Sequence, residues 1–236
     1  MREMNSAIWL NFPLHRGCYS KFMKKLPTAL VFGSSGSIGG ACVDLLSSEY
    51  QTFKGSRTFE DLNLGAPFDS VVWAQGINQT KHFMETSESD WESILDANFH
   101  FVRRSVVRLI EDNLIMSPAS FIFVGSVWGR LSRYEKSAYI VSKSALEGLA
   151  IGLAADLAQF GIRVNYVLPG VVDNLMTREN LTAEQLSKIQ TETLGGELIS
   201  AKDVANVVRF LCSSDSSGIN GQSIVIDKGW SIARHI

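Results

Sequence analysis

Short β-strand patterns alternate with longer helical patterns along almost the whole chain after residue 27. Several of the strand patterns are apolar throughout, which is typical of strands that are buried on both faces of a sheet. The predicted strands are Thr28–Phe32, Gln51–Lys54, Ser70–Ala74, Ser120–Gly125, Ile162–Leu168 and Ser223–Asp227. The predicted helices are Ile38–Ser48, Trp91–Met116, Tyr139–Phe160 and Asp203–Cys212. This alternation predicts an α/β fold with a doubly wound parallel sheet in a three-layer α/β/α arrangement.

The link between the second predicted strand and the next one is too short for an ordinary crossover. A parallel crossover usually needs a dozen or more residues, whereas Gly65–Asp69 spans at most about 17 Å when fully extended. In the usual sheet order this link must also pass about three strand spacings, or about 14 Å, sideways. We therefore predict a curtailed third strand and a missing crossover helix.

The chain length suits one domain that buries its own core. We predict a single α/β domain over residues 28–236, with a substrate lid at about 171–200 that contains a helix at Ala183–Thr193. Residues 1–27 are predicted to be an N-terminal extension of unknown role. The apolar stretch in this extension, Ala7–Leu10, is shorter than the roughly 7–15 residues of a signal-peptide core.

Composition and charge argue against several classes of partner. The formal net charge of -2 creates no field that would attract nucleic acid, so we expect no nucleic-acid partner. No uninterrupted apolar run reaches the roughly 18 residues of a membrane span, so we expect no membrane partner. The three cysteines are scattered without a CxxC pair, which favours a reducing, cytoplasmic location. The four histidines share no ligand spacing, so we expect no metal site.

A glycine-rich loop lies between the first predicted strand and the first predicted helix. Small residues let backbone N–H groups close on a pyrophosphate, and the helix N-terminus adds partial positive charge. An ordinary turn with serine caps is the alternative, but the position in the first βα unit favours a dinucleotide site of Rossmann type. The loop residues that we expect to contact the cofactor are Gly33, Ser35, Gly36, Ser37, Ile38 and Gly39.

The end of the second predicted strand bears on the choice of dinucleotide. An acidic residue there would hold a free ribose 2′-hydroxyl, but Gly55-Ser56-Arg57 occupies this position. An arginine can pair with a 2′-phosphate and stack on adenine, although an exposed loop arginine is the alternative. Arg57 therefore favours NADP(H) over NAD(H) as the cofactor.

Three residues form a pattern suited to carbonyl chemistry. Tyr139 and Lys143 are four residues apart on a helix and share one face, and Ser126 ends a buried strand, where sheets of this class open their sites. A tyrosine has a reference pKa of about 10, and an adjacent ammonium group is expected to lower that pKa and make the phenol a usable acid or base. The serine hydroxyl can stabilise the developing oxyanion, and the lysine can also bind a cofactor ribose.

Together these segments make residues 28–230 resemble the short-chain dehydrogenase/reductase family, and 3-oxoacyl-thioester reductases in particular. The resembling segments are Gly33–Gly39, Ala74-Gln75-Gly76, Asn98, Gly125-Ser126, Tyr139–Lys143, Gly161–Gly170 and Asn220–Asp227. The resemblance implies that Asn98 is a fourth catalytic residue, which holds a water molecule in the proton relay. An asparagine that only bonds helix backbone is the alternative.

The resemblance also implies further contacts with the cofactor. It assigns Asp61 to the adenine, Ala74 and Gly76 to the ribose, and the backbone of Val172 to the nicotinamide carboxamide, with Pro169 beside it. The family resemblance further implies a homodimer or homotetramer that assembles through the two long helices.

Several positions depart from the family pattern. Ser37 replaces a glycine, so the loop has GxxGxxG spacing, which is similar to that of the branch with epimerases and dehydratases. Trp73-Ala74-Gln75-Gly76 replaces the usual Asn-Asn-Ala-Gly, while Asn174 replaces a threonine and Lys228 a glycine.

The pattern as a whole predicts an NAD(P)(H)-dependent oxidoreductase that interconverts a small alcohol and a ketone or aldehyde by hydride transfer. Two alternatives stay open: an epimerase or dehydratase on the same scaffold, and a non-catalytic dinucleotide-binding regulatory protein. No residue in the segment after Gly170 identifies the substrate, although Trp128 beside the catalytic serine could line its pocket.

Overall fold

Strands and helices alternate along residues 15–16, 26–58 and 67–232, the part of the chain that the computed structural model describes. The strands are β1 (His15–Arg16), β2 (Thr28–Phe32), β3 (Gln51–Gly55), β4 (Phe68–Trp73), β5 (Ile115–Val124), β6 (Ile162–Pro169) and β7 (Ser223–Ile226). The α-helices are α1 (Ser37–Leu46), α2 (Glu88–Leu95), α3 (Phe101–Glu111), α4 (Ser137–Leu157), α5 (Leu175–Asn180), α6 (Ala183–Glu192) and α7 (Ala201–Cys212).

The strands form one parallel sheet in the order β3-β2-β4-β5-β6-β7. The short β1 lies off this path and pairs with the start of β5, where His15 lies opposite Met116. In the sheet, β3 lies on one side of β2 and β4 lies on the other side, so the strand order reverses its direction at β2. The carboxyl ends of these strands therefore border a crevice, which is where open α/β sheets bind ligands.

Helices cover both faces of the sheet because their apolar residues recur at helical spacing. On one face, Val102, Val106 and Leu109 of α3 pack with α4 against the sheet. On the other face, Val204 and Val208 of α7 pack with α1. The predicted three-layer, doubly wound α/β fold of Rossmann type is confirmed.

The long helix predicted at Trp91–Met116 is wrong at its carboxyl end. The helical path of α2 continues through one π-helical segment, Asp96–His100, into α3, which ends at Glu111. Asn113 then takes a left-handed conformation with φ 56°, and β5 begins at Ile115. A short apolar run suits a buried strand as well as a helix, so periodicity alone did not reveal this boundary.

The edge of the sheet agrees with the predicted curtailed third strand. Within the described residues, β3 is the outermost strand on its side, and no helix lies between its end and β4. Residues 59–66, which include Asp61, lie outside the described residues.

One helix in the described part of the chain has the length and composition of a membrane span. This helix consists of α4 and the 3₁₀ turn that follows it, 24 residues over Ser137–Phe160. Its residues Leu146, Ala150 and Leu157 are buried against the sheet. Packing in the core therefore accounts for part of its apolar character, while Val141 and Ile151 of the same helix are exposed.

Candidate active site

Two adjoining cavities lie at the carboxyl ends of the strands. The first, of about 370 Å³, is lined by the glycine loop and by residues that follow β3 and β4. The second, of about 110 Å³, is lined by Ser126 and Tyr139 and by the segment after β6. Ile38, Asn174 and Met176 line both cavities, so the two meet across the first turn of α1.

The glycine loop approaches other backbone too closely for larger residues. Gly33 has a φ of 77°, and a Cβ atom there would lie 2.5 Å from the backbone nitrogen of Gln75. A Cβ atom on Gly39 would lie 2.1 Å from the carbonyl oxygen of Gly33. Glycine at these two positions lets the start of α1 pack tightly beside β2 and β4.

The N-terminus of α1 faces the first cavity and can accept an anion. Its N-cap is Gly36, which has no side chain to cap the helix, and its first turn carries no acidic residue. Free N–H groups and the positive end of the helix dipole favour a phosphate at such a position. The predicted loop residues Gly33, Ser35, Gly36, Ser37 and Ile38 all line this cavity.

Two of the departures from the family pattern contact each other. The Nδ2 atom of Asn174 donates a hydrogen bond of 3.0 Å to Oγ of Ser37. The Oδ1 atom of Asn174 also accepts a hydrogen bond from the backbone nitrogen of Thr177 and caps α5. One side chain therefore connects the glycine loop to the start of the predicted lid.

The other residues predicted to contact the dinucleotide lie around the same cavity. Arg57, Ala74 and Gly76 line it, and Arg57 is exposed at its rim. Pro169 and Val172 line the second cavity instead, on the side of Tyr139. The prediction for Asp61 falls outside the described residues.

Gln75 is a cavity residue that the sequence reasoning did not assign. It lines the first cavity, and both polar atoms of its side chain are buried without a hydrogen-bond partner in the described structure. Its position inside Ala74-Gln75-Gly76, where the family pattern has a small residue, was the available signal.

Ser126 lies just past the end of β5, where a close contact fixes the backbone. A Cβ atom on Gly125 would lie 1.8 Å from the hydroxyl oxygen of Tyr166, so only glycine fits before the serine. The Ser126 side chain is buried, and its Oγ atom accepts a hydrogen bond of 3.2 Å from the backbone nitrogen of Trp128. The same side chain also hydrogen-bonds to Tyr139.

Tyr139 and Lys143 lie on the first two turns of α4, on the face that meets the sheet. The Nζ atom of Lys143 lies 5.7 Å from the centre of the Tyr139 ring. The same atom donates a hydrogen bond of 3.3 Å to the carbonyl oxygen of Val124. The Tyr166 hydroxyl donates to the Lys143 carbonyl oxygen at 2.9 Å and ties the helix to β6.

Burial dominates the ionisation of both groups. It raises the pKa of Tyr139 above its ordinary value, and the hydrogen bond from Ser126 only partly offsets this. Burial also lowers the pKa of Lys143 to about 8. The expected lowering of the Tyr139 pKa by the ammonium group has the wrong direction, because desolvation is the largest influence on this pKa and raises it.

Asn98 lies in the π-helical segment between α2 and α3 and is fully buried. Its Nδ2 atom donates to the carbonyl oxygen of Ile77 and to Oγ of Ser142, each at 3.0 Å. Its Oδ1 atom accepts from the backbone nitrogen of Ile77 at 2.8 Å. These partners lie outside its own helix, so the alternative of a simple helix-backbone bond does not describe this residue.

The position of Gly76 shows that Asn98 and Lys143 are close to each other. A Cβ atom on Gly76 would lie 3.1 Å from Oδ1 of Asn98 and 3.2 Å from Nζ of Lys143. Asn98 and Lys143 thus lie beside Gly76 of the first cavity, and Lys143 also lies near Tyr139, which lines the second cavity together with Ser126.

Two cations in the second cavity were also missed. Arg133 and Lys136 line it beside Tyr139. Both lie between Ser126 and Tyr139 in the sequence, and that proximity was the only signal for their location.

Comparisons with known proteins show which proteins this chain is similar to. The family model described as enoyl-(acyl carrier protein) reductase matches residues 58–231. Cyclopentanol dehydrogenase of Comamonas sp. (strain NCIMB 9872) is 32% identical over 163 residues, which cover 69% of this chain and 65% of that protein. The 3-oxoacyl-(acyl-carrier-protein) reductase FabG of Escherichia coli (strain K12) is 26% identical over 234 residues, which cover 85% of this chain and 96% of FabG.

Solved structures share the fold. A short chain dehydrogenase family protein from Francisella tularensis superposes with a TM-score of 0.77 at 25% identity and covers 87% of this chain and 99% of its own. A 4-hydroxyisoleucine dehydrogenase in complex with NADH has a TM-score of 0.78 at 22% identity, covering 88% of this chain and 100% of its own, which shows similarity of fold alone.

Proposed function

The chain belongs to the short-chain dehydrogenase/reductase family, and on that premise we propose that it interconverts an alcohol and a ketone or aldehyde by hydride transfer with NAD(P)(H). The observation that carries this proposal is the convergence of Asn98, Ser126, Tyr139 and Lys143 beside a cleft that starts at an uncapped helix N-terminus. The cleft can bind an anionic cofactor, and the side chains can move a proton beside it.

The described residues fit a dinucleotide. The α1 N-terminus has no side-chain cap, and the glycine loop is too closely packed for side chains at Gly33 and Gly39. Pyrophosphate would lie on this loop, with Ala74 and Gly76 at the ribose and Pro169 and Val172 near the nicotinamide. A bound dinucleotide would supply or accept the hydride.

The side chains of the protein would transfer the proton, stabilise the oxyanion and bind the ribose. Tyr139 gives a proton to the carbonyl oxygen in reduction and removes it from the alcohol in oxidation. Ser126 donates a hydrogen bond to the oxygen as negative charge develops there. Lys143 binds ribose, and Asn98 holds the water-linked end of the proton relay.

We further propose NADP(H) as the preferred cofactor, because Arg57 stands at the rim of the first cavity, past the end of β3. Segment 171–200 would close over the substrate, and the domain would comprise 28–236. A cytoplasmic location is supported by the free thiols of Cys42 and Cys212, which are both buried.

The test compares the wild-type protein with Tyr139→Phe. The wild type should bind a dinucleotide, measured by thermal shift with NAD(H) and NADP(H), and oxidise or reduce members of an alcohol and ketone panel, followed by nicotinamide absorbance. Tyr139→Phe should bind the cofactor equally well and lose about 10²- to 10⁴-fold in kcat.

Two results would contradict the proposal. Failure to bind either dinucleotide would exclude the whole reaction class. Tight binding without net turnover of the cofactor, together with conversion of a sugar-like substrate, would favour an epimerase or dehydratase.

A further inference from the structure

The second cavity has a strongly one-sided charge. Its lining includes two basic residues, Arg133 and Lys136, and no aspartate or glutamate among the described residues that form it. Ser126 and Tyr139 line the same cavity. A substrate that reaches the proposed proton donor therefore meets positive charge.

Among the described carboxylates, Glu135 acts on the Arg133 guanidinium through its charge, without a direct ion pair, and partly offsets the lowering of the Arg133 pKa by burial. Within the described part of the chain this group makes no ion pair or hydrogen bond, and its contact is with the ring of Trp128, 5.6 Å from the centroid. Trp128 packs edge-on against Trp230, with the ring centres 5.1 Å apart. The guanidinium is therefore positioned by an aromatic surface, while its donors stay available.

Five other arginines in the described residues form ion pairs with carboxylates, whereas Arg57, Arg103 and Arg163, like Arg133, form none there. The ion pairs formed by those five arginines are Arg104–Asp96, Arg108–Asp112, Arg130–Glu147, Arg178–Asp173 and Arg209–Glu49. All five lie on more exposed surfaces, where a pair contributes little. Arg133 is partly buried beside the reaction centre and lacks such a pair.

Lys136 adds charge to the cavity but cannot itself bind a ligand. Its Nζ atom donates to Oδ1 of Asn78 at 2.8 Å, to the carbonyl oxygen of Gln79 at 3.1 Å and to Oγ1 of Thr80. These acceptors are all neutral, so within the described residues the ammonium group donates no hydrogen bond to a carboxylate. Burial and the charge of Arg133 lower its pKa to about 8, while Glu135 acts in the opposite direction.

We propose that Arg133 binds a carboxylate of the substrate, so that the enzyme acts on a small hydroxy acid or keto acid. The inference rests on the proposed function, because Ser126 and Tyr139 are taken to hold the reacting oxygen. A planar guanidinium matches a carboxylate with two parallel hydrogen bonds. The small cavity, of about 110 Å³, suits a short acid, and Lys136 strengthens the field that attracts it.

The primary experiment is a kinetic comparison of matched substrates. Short 2-, 3- and 4-hydroxycarboxylates are assayed with NAD⁺ and NADP⁺, each beside its methyl ester and beside a hydroxyalkyl phosphate of similar length. The wild type should favour at least one free acid over its ester. Arg133→Gln should raise KM for that acid by about 10- to 100-fold, the usual loss for a charge-assisted hydrogen bond, and should leave turnover of the ester within about twofold.

Two further variants test whether the effect of Arg133→Gln comes from lost substrate binding or from a loss of folding. Arg133→Lys keeps the positive charge but loses the pair of parallel N–H donors of the guanidinium. Its affinity for the acid should therefore lie between that of the wild type and that of Arg133→Gln. Arg103→Gln removes an exposed arginine of α3 that lines neither cavity, and it should not change KM. Each variant should keep the thermal midpoint of the wild type.

A second readout does not depend on turnover. Quenching of tryptophan fluorescence is titrated with pentanoate and, as the neutral match, with pentanamide. Pentanoate should bind the wild type, and Arg133→Gln should weaken its binding. Saturable pentanoate binding that requires Arg133, in a protein that turns over no alcohol, would support the carboxylate site and reject the proposed function.

Three results would overturn the inference. Equal use of acids and esters by the wild type would remove the need for an anion site. Preference for the phosphate over the carboxylate would reject the assigned ligand class. Unchanged KM and unchanged pentanoate binding in Arg133→Gln would show that Arg133 is not the binding residue.

Discussion

Several side chains at the cleft suit binding or catalysis but lower the stability of the folded protein. Lys143 and Lys136 are buried ammonium groups whose pKa values burial lowers to about 8. Gln75 buries a carboxamide without a hydrogen-bond partner in the described structure. Buried charges and unpaired polar groups destabilise a protein unless something compensates them. Their concentration beside the proposed reaction centre is what a functional site predicts.

Lys143→Met should stabilise the protein at pH 7 while it abolishes activity. The folded-state pKa of about 8 lies below the ordinary value of 10.5, so the protonated lysine opposes folding at neutral pH. Removal of the charge should raise the free energy of unfolding by about 1–3 kcal/mol, after allowance for the lost hydrogen bond to Val124.

The advantage of Lys143→Met should shrink as the pH rises from about 8 to 10.5, because the wild-type lysine then loses its proton in the folded state first. Urea unfolding at pH 7 and pH 9.5 measures both effects. The exposed Lys188→Met serves as the control and should change neither value. A variant less stable than the wild type at pH 7 would show that the ammonium group contributes net stability.

Arg57 should determine the preference between the two dinucleotides. Its guanidinium lies at the rim of the first cavity, where a 2′-phosphate would lie if the adenosine follows β3. Arg57→Ala should weaken NADPH binding by about 10-fold or more, the loss expected of a charge-assisted pair, and should leave NADH binding nearly unchanged. Isothermal titration with both cofactors measures the ratio, and an equal loss for both would mean that Arg57 contacts another part of the dinucleotide.

At the scale of secondary-structure elements, the side chain of Asn174 links the glycine loop to the predicted lid. Asn174 bonds Ser37 of α1 and caps α5, and both residues depart from the family pattern. The glycine loop and the segment after β6 come together only because β2 and β6 end on the same edge of the sheet. The two departures from the family pattern are therefore in direct contact.

Ser37→Gly and Asn174→Thr should show coupled effects on dinucleotide binding. Threonine can still cap α5, so Asn174→Thr mainly removes the bond to Ser37. The double-mutant cycle should give a coupling free energy of about 0.5–1 kcal/mol in dissociation constants measured by fluorescence titration. Strictly additive effects would mean that the bond does not contribute to cofactor binding.

At the scale of the whole molecule, α4 has an outer face suited to self-association. Val141 and Ile151 are exposed on this helix. A Cβ atom added at Gly148 or Gly152 would meet nothing within 4 Å among the described residues, so a second helix could approach closely there. This surface supports the expected homodimer or homotetramer, which we retain as a proposal.

Ile151→Asp should shift the protein to a smaller species because a carboxylate would have to be buried at the helix pair. Size-exclusion chromatography with light scattering measures the mass. The control is Met84→Asp, which changes an exposed residue in the 3₁₀ turn Phe83–Glu85. An unchanged mass for Ile151→Asp would exclude this face of α4 as the interface.

Much of the fold followed from local pattern, because its causes are local. Apolar strands, helical spacing and turn residues are set by neighbours a few positions apart. The four-residue spacing of Tyr139 and Lys143 placed them on one face of α4, and the glycine loop had its correct position between β2 and α1. The helix boundary at Asn113 was missed because Ile115 and Met116 are equally compatible with helix and strand.

Local sequence patterns were enough to predict the alternation of strands and helices, and with it the edge of the sheet where the site lies. Tertiary structure alone decided the partners of Asn98, the contact of Asn174 with Ser37 and the entry of Arg133 into the second cavity. It also decided the direction of the Tyr139 pKa shift. These properties depend on residues distant in sequence and on burial, which arise only when the layers pack together.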